Sequence, residues 1–127
     1  MNGKGELCFI DRIVIYREDG RWVAHSIETD QIGVDEEMIV AVADLIKTVY
    51  HLLEIAEKDK TIVIKRKAPK EIIDKEKKSI ILSDDIFNIA CEMAMGKWSQ
   101  NAVDIKLTPK KVTQNYSVNA QLQECYC

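Results

Sequence analysis

Between Asp35 and Lys58 the apolar positions recur at spacings of three and four, through Met38, Val42, Leu45, Ile46, Val49, Leu52, Leu53 and Ala56. That period predicts one long helix burying one face. Asp35 is its expected cap, and Glu36 and Glu37 stand in the first turn, where the helix dipole favours negative charge. Lys58 and Lys60 carry the complementary sign at the far end. A rise of about 1.5 Å per residue makes such a helix about 36 Å long, enough to cross one face of a small sheet.

Ahead of the helix the period drops to two. Cys8 to Arg17 is strongly β-forming, with Ile10, Val14 and Tyr16 in one phase and Ile13 and Ile15 in the other. Asp19-Gly20 supplies a tight turn, because glycine accepts the positive φ of a two-residue hairpin loop. Arg21 to Ile27 is the return strand, and a short third strand from Ile32 to Val34, interrupted by Gly33, leads into the helix. After the helix, Thr61 to Arg66 reads as a compact apolar strand, which a crossover through the helix could set parallel to the first. The expected fold is therefore α+β, a βββαβ sheet with one long helix on one face.

The remainder is more broken. Ala68-Pro69 interrupts the chain, Glu71 to Lys78 suits a short exposed helix, and Ile80 to Leu82 a small strand. Ser83 is placed to cap a second helix from Asp84 to Met95, which Gly96 would close. Val103 to Leu107 alternates like a strand, and Val118 to Tyr126 is weakly helical. This predicts a domain over residues 1–66 and a smaller α/β extension over 67–127, its helix near 84–95 packed on the domain or on a partner subunit.

Apolar residues make up 46% of the 127 and charged residues 31%, which excludes a disordered or fibrous chain. No run approaches the roughly 18 apolar residues of a membrane helix, and no apolar signal core follows Met1 to Gly5, so the expectation is a cytoplasmic protein with no membrane partner. The net charge of -3 is unevenly spread. Residues 1–66 carry 9 Lys and Arg against 13 Asp and Glu, a balance of -4, whereas residues 67–127 carry 9 against 8. Nine cations face four acids between Lys58 and Lys78, which leaves both a solvated basic face and a nucleic-acid or acidic-partner surface open.

Candidate chemistry is sparse. Asp11, Glu28 and Asp30 could meet at one end of the hairpin, as a divalent-metal nuclease would need, but no fourth acid is identifiable and solvated loop carboxylates are the simpler reading. His25 lies mid-strand with no nucleophile beside it, and His51 follows Tyr50 on the helix. Cys8 and Cys91 sit in apolar runs, and Cys125 and Cys127 form a C-x-C pair without the further ligands zinc requires. With no glycine-rich phosphate loop and no nucleophile elbow, the expectation is a non-enzyme without catalytic residues, metal or cofactor. The apolar belt of the helix is wider than one sheet face requires, since Ile39, Ala43, Ile46 and Tyr50 flank the main stripe. That surplus predicts a subunit interface, most simply a homodimer, though a higher oligomer is equally compatible.

The stretch Glu18-Asp19-Gly20-Arg21-Trp22-Val23-Ala24-His25-Ser26-Ile27-Glu28-Thr29-Asp30, followed by Gln31-Ile32-Gly33-Val34, resembles the HicB family of bacterial and archaeal antitoxin-like proteins. The shared features are an E-D-G-x-W/Y-V-A hairpin, an acidic bend and a small-residue strand running into a long helix, over about residues 10–66. The resemblance implies a partial RNase H-like fold and an antitoxin that neutralises a small basic ribonuclease toxin by occlusion. It places partner contacts on Trp22, His25, Glu28 and Asp30. The family's usual helix opening, Gly-Asp-Thr-x-Glu-Glu-Ala, is replaced here by Asp35 to Ala41 with only Ala41 in place, and residues 67–127 contain no legible helix-turn-helix. A stand-alone oligomer with a structural or regulatory role is the alternative.

Overall fold

The computed structural model describes residues 10–96 and 114–121. In it β1 (Ile10–Glu18), β2 (Arg21–Ser26) and β3 (Ile32–Asp35) lead into the long helix α1 (Met38–Lys58). There follow α2 (Lys70–Lys77), β4 (Ile80–Ile81), α3 (Asp84–Ala94) and β5 (Tyr116–Gln121). The five strands form one mixed sheet in the order β3-β2-β1-β5-β4, giving an α+β architecture of five strands and three helices, one of them long. All neighbouring pairs are antiparallel except β4 and β5.

The two apolar phases of β1 bury against different partners. Ile13 and Ile15 join Trp22, Ala24, Val118 and Ala120 on the face covered by α1, where Met38, Val42, Leu45 and Val49 complete the core. Val14, Tyr16, Val23 and Ile27 point to the opposite face, against Ala68 and Ile72 of the α2 region. A central strand sandwiched on both faces must be apolar in both phases, which is why β1 does not alternate.

Contact between α1 and the sheet is unusually close at Gly33. A methyl group there would lie 2.3 Å from the Ala41 carbonyl oxygen and 2.5 Å from the Leu45 amide nitrogen, so only glycine lets the helix backbone settle on β3. The helix begins later than expected. Asp35 does not cap it but accepts the Glu37 N–H at 2.8 Å, and Glu37 stands at the N-cap without a side-chain bond. By contrast α3 starts as its sequence predicts, with the Ser83 hydroxyl accepting the Ile86 N–H at 3.3 Å, and its chain leaves through Gly96 at a φ of 75°.

Residues 61–66 are not a strand. They run outside the sheet without regular secondary structure, and the Arg66 and Ala68 amides donate to Glu28 and Ile27 carbonyls, each at 2.9 Å. The place beside β1 belongs instead to β5, antiparallel rather than parallel. The physical reason is charge: adjacent Lys65 and Arg66 would point to opposite faces of a strand, so one of them would enter the core under α1, whereas β5 turns Val118 and Ala120 there and leaves Asn119 exposed. The segment from residue 118 that reads as weakly helical is thus a strand to Gln121; its remainder, and the strand expected at Val103 to Leu107, lie outside the described residues. Because β4 and β5 come from beyond residue 66, both sections of the chain contribute to one sheet.

The apolar surplus of α1 is also used inside the chain. Ile39, Ala43 and Ile46 are buried, and Ile46 and Tyr50 pack in the core cluster that includes Ile86, Phe87 and Ala94 of α3. Ile39, Ala43 and Ile46 are thus buried within the chain, and Tyr50 is half-buried. No helix among the described residues is long and apolar enough to cross a membrane.

Candidate functional site

The β1–β2 ladder has a tip and a base, and each end collects a different chemistry. At the tip, Asp19 and Gly20 have φ values of 55° and 78°, both in the left-handed region that a two-residue hairpin turn demands. At the base, a compact turn returns the chain to β3. The Asp30 amide donates to the Ser26 carbonyl at 2.9 Å, the Ser26 amide to the Gln31 carbonyl at 2.8 Å, and Asp30 takes a φ of 57°.

That turn aims Asp30 at His25. Asp30 Oδ1 lies 2.7 Å from His25 Nε2, and the Tyr16 hydroxyl 3.1 Å from Nδ1. An ionised carboxylate can only accept, so in the neutral imidazole Nε2 carries the proton and Nδ1 accepts from the phenol. Burial, reinforced by Glu18, Asp30 and Glu71, pushes the Tyr16 phenol up to about 12. It stays protonated and serves as a donor, not a nucleophile. Lys75 Nζ lies 5.0 Å over the Tyr16 ring, holding α2 against this face.

A groove of about 470 Å³ opens beside the relay. Tyr16, Val23, His25, Ile32 and Val34 line it, with Glu18, Asp19 and Arg21 towards the tip. Ile32, on the β3 side, is 49% exposed. Next to it Arg21 and Val34 share a second hollow with Asp35, Glu36 and Glu37. Five acids (Glu18, Asp19, Asp35, Glu36, Glu37) therefore gather at this end against Arg17 and Arg21.

A separate network is buried on the other face of the same strands. The Ser26 hydroxyl donates to Asp11 Oδ1 at 2.7 Å and accepts from the Thr29 hydroxyl and amide at 2.6 and 3.0 Å. Asp11 Oδ2 is buried with no hydrogen-bond partner among the described residues. Burial pushes the Asp11 carboxyl up to about 6, against the lowering effect of Ser26 and the Glu28 amide. Arg12, half-buried, pairs with Glu28 at 2.9 Å and Glu76 at 3.3 Å, tying β1 to the base turn and to α2.

The sequence candidates thus separate. Trp22, expected to meet a partner, is 2% exposed and belongs to the core under α1, so the surface it was to offer is inside the protein. His25 lines the groove and Asp30 bonds to it from a partly exposed position, whereas Glu28 is held by Arg12. Asp11, Glu28 and Asp30 do not form one cluster, since each is engaged by a different residue. Among the described residues no group of three or more His, Cys, Asp or Glu could hold a metal ion. His51 is exposed, 3.7 Å from Glu54. Cys91 is half-buried against the core, while Cys8, Cys125 and Cys127 lie outside the described residues.

Tyr16, Ile32 and Val34 were not singled out as binding residues from sequence. Their signal was present in the shared phase of Val14, Tyr16, Val23 and His25, but which part of that face α2 covers depends on the fold. Compared with protein-family models, with curated proteins and with solved structures, the chain has no match in any of the three.

Proposed function

We propose that the chain is a non-enzymatic interaction module of the HicB antitoxin type, which docks a small basic ribonuclease toxin and occludes its RNA-binding surface. The observation that carries this reading is the groove of Tyr16, Val23, His25, Ile32 and Val34 with an excess of acid beside it. An aliphatic floor next to concentrated negative charge suits a cationic protein that inserts an apolar or long-stemmed side chain. The balance of -4 over residues 1–66 acts in the same direction, through the rate of encounter. Both ring nitrogens of His25 are engaged within the chain, which suits a shape-holding role better than proton transfer.

The test is capture from lysate of the source cells with the full chain as bait, a high-salt wash and mass spectrometry. A small basic protein retained in equal amount, and lost with Ile32→Asp, is the expected result. Recovery of bait alone with both proteins would overturn the reading.

A stand-alone oligomer is favoured by one different observation. Edge strand β4 leaves Ile80 51% and Ile81 83% exposed among the described residues, an apolar edge of the kind a second copy can pair with. Light scattering of the bait alone separates the two readings, because a defined dimer that reverts to monomer with Ile81→Lys supports the second.

A further inference from the structure

The docking end makes no use of the basic stretch between Lys58 and Lys78, and the fold divides its cations into two sets. Lys75 lies over Tyr16, and Lys77 approaches Asp74 at 4.0 Å, so these serve the chain's own packing. Lys58, Lys60, Lys65, Arg66, Lys67 and Lys70 are all exposed, and among the described residues none of them forms an ion pair. Asp59, the one acid among them, is turned onto the Thr61 amide and hydroxyl at 3.0 and 2.6 Å. Unpaired like charges at this density repel one another and hold a counterion cloud that a polyanion displaces.

Lys58 ends α1 and Lys70 begins α2, while the backbone of Lys65, Arg66 and Lys67 runs between the helices, outside the sheet and tied to the base turn at Glu28 and Ile27. Beside it a hollow of about 310 Å³ opens between that turn and the end of α1. Gln31 gives it a side-chain amide, Leu52 and Ile64 give aliphatic walls, and Arg66 stands at the same hollow, whereas the Thr29 and Thr61 hydroxyls at its lining donate to Ser26 and Asp59. An amide can both donate to and accept from the edge of an unpaired base, aliphatic walls take its flat faces, and a guanidinium forks onto phosphate.

We propose that this end binds single-stranded nucleic acid, with one base in the hollow and neighbouring phosphates on Lys65, Arg66 and Lys67. A duplex offers no unpaired base to such a hollow. A free nucleotide shares the chemistry, but three consecutive exposed cations, Lys65, Arg66 and Lys67, match a chain of phosphates rather than one. The inference is independent of the toxin reading, since it concerns the opposite end of the β1–β2 ladder.

The experiment is fluorescence anisotropy of the full chain with a labelled single-stranded oligonucleotide of about 12 bases, titrated between about 50 and 200 mM salt. With three phosphates neutralised by Lys65, Arg66 and Lys67, log K should fall against log salt with a slope of about -2.1. Lys65→Gln, Arg66→Gln and Lys67→Gln should each reduce that slope by about 0.7, whereas Gln31→Ala should weaken binding with the slope unchanged. Lys65, Arg66 and Lys67 are exposed and Gln31 is half-buried, and circular dichroism checks that each variant is folded. The proposal is overturned if the oligonucleotide does not bind, if the triple Lys65, Arg66 and Lys67 variant binds as tightly as the parent, or if a duplex binds equally well. Competition by polyglutamate at the same charge concentration would instead identify an acidic protein partner. Competition by a mononucleotide at the oligonucleotide's own concentration would identify a free nucleotide.

Discussion

Replacing Asp11 by asparagine should make the protein more stable near neutral pH and leave it little changed in acid. The carboxyl is buried, Oδ2 has no hydrogen-bond partner among the described residues, and its pKa is pushed from 3.8 up to about 6. The sign follows from the direction of that shift. Below the unfolded value both states hold the proton and Asp11 contributes no difference. Between the two values the unfolded chain has lost its proton while the folded chain keeps it, so rising pH favours unfolding. Above about 6 the full cost is present. A shift of about two units, at about 1.4 kcal/mol per unit, makes that cost about 3 kcal/mol. The assay is urea unfolding of the parent and Asp11→Asn at intervals from about pH 4 to pH 8, with stability compared as a difference at each pH. Asparagine keeps an oxygen for the Ser26 hydroxyl, and any penalty for its amide group does not depend on pH. The stability of the variant relative to the parent should rise by about 3 kcal/mol across the window. A flat difference between pH 4 and pH 7 would refute the argument, whatever its absolute size.

Gly33→Ala drives a methyl group into the backbone of α1 at Ala41 and Leu45, where no side chain can move aside. A loss of about 3 kcal/mol is expected by urea unfolding, and a loss below about 0.5 would mean that the helix does not rest on β3. Ser83→Ala removes the cap of α3 and should cost about 1 kcal/mol in the same assay. Ile32→Asp, at an exposed groove position, should leave the unfolding midpoint within about 0.5 kcal/mol of the parent while abolishing partner capture.

The elements legible in the sequence were those whose burial is set locally. α1 shows its period because one stripe meets the sheet for five turns, and α3 carries both its cap at Ser83 and its exit at Gly96. The hairpin turn is fixed by Asp19-Gly20. What failed was long-range pairing. Thr61 to Arg66 and Tyr116 to Gln121 compete for the place beside β1, and the first has the stronger strand composition. The deciding factor, that one of the adjacent Lys65 and Arg66 would have to enter the core, appears only once α1 is known to cover that face of the sheet. The same blindness affected the site. Trp22 and His25 are three residues apart on one strand, so the pleat turns them to opposite faces, one in the core under α1 and the other in a groove. The breadth of the α1 belt was read as a subunit interface, whereas Ile46 and Tyr50 pack with α3 of the same chain.

The position of β5 has a consequence for how the protein is made. A ribosome releases the chain in order, so β1, β2, β3 and α1 emerge long before residues 116–121. Until then β1 has a neighbour on one side only, and the backbone groups destined for β5 face water or another chain. Contacts between Ile13 and Val118 span more than a hundred residues, which places closure of the sheet among the slow steps of folding. A nascent or truncated chain ending near residue 66 therefore exposes a long apolar strand edge, the form in which this sequence is most open to aggregation and to capture by chaperones.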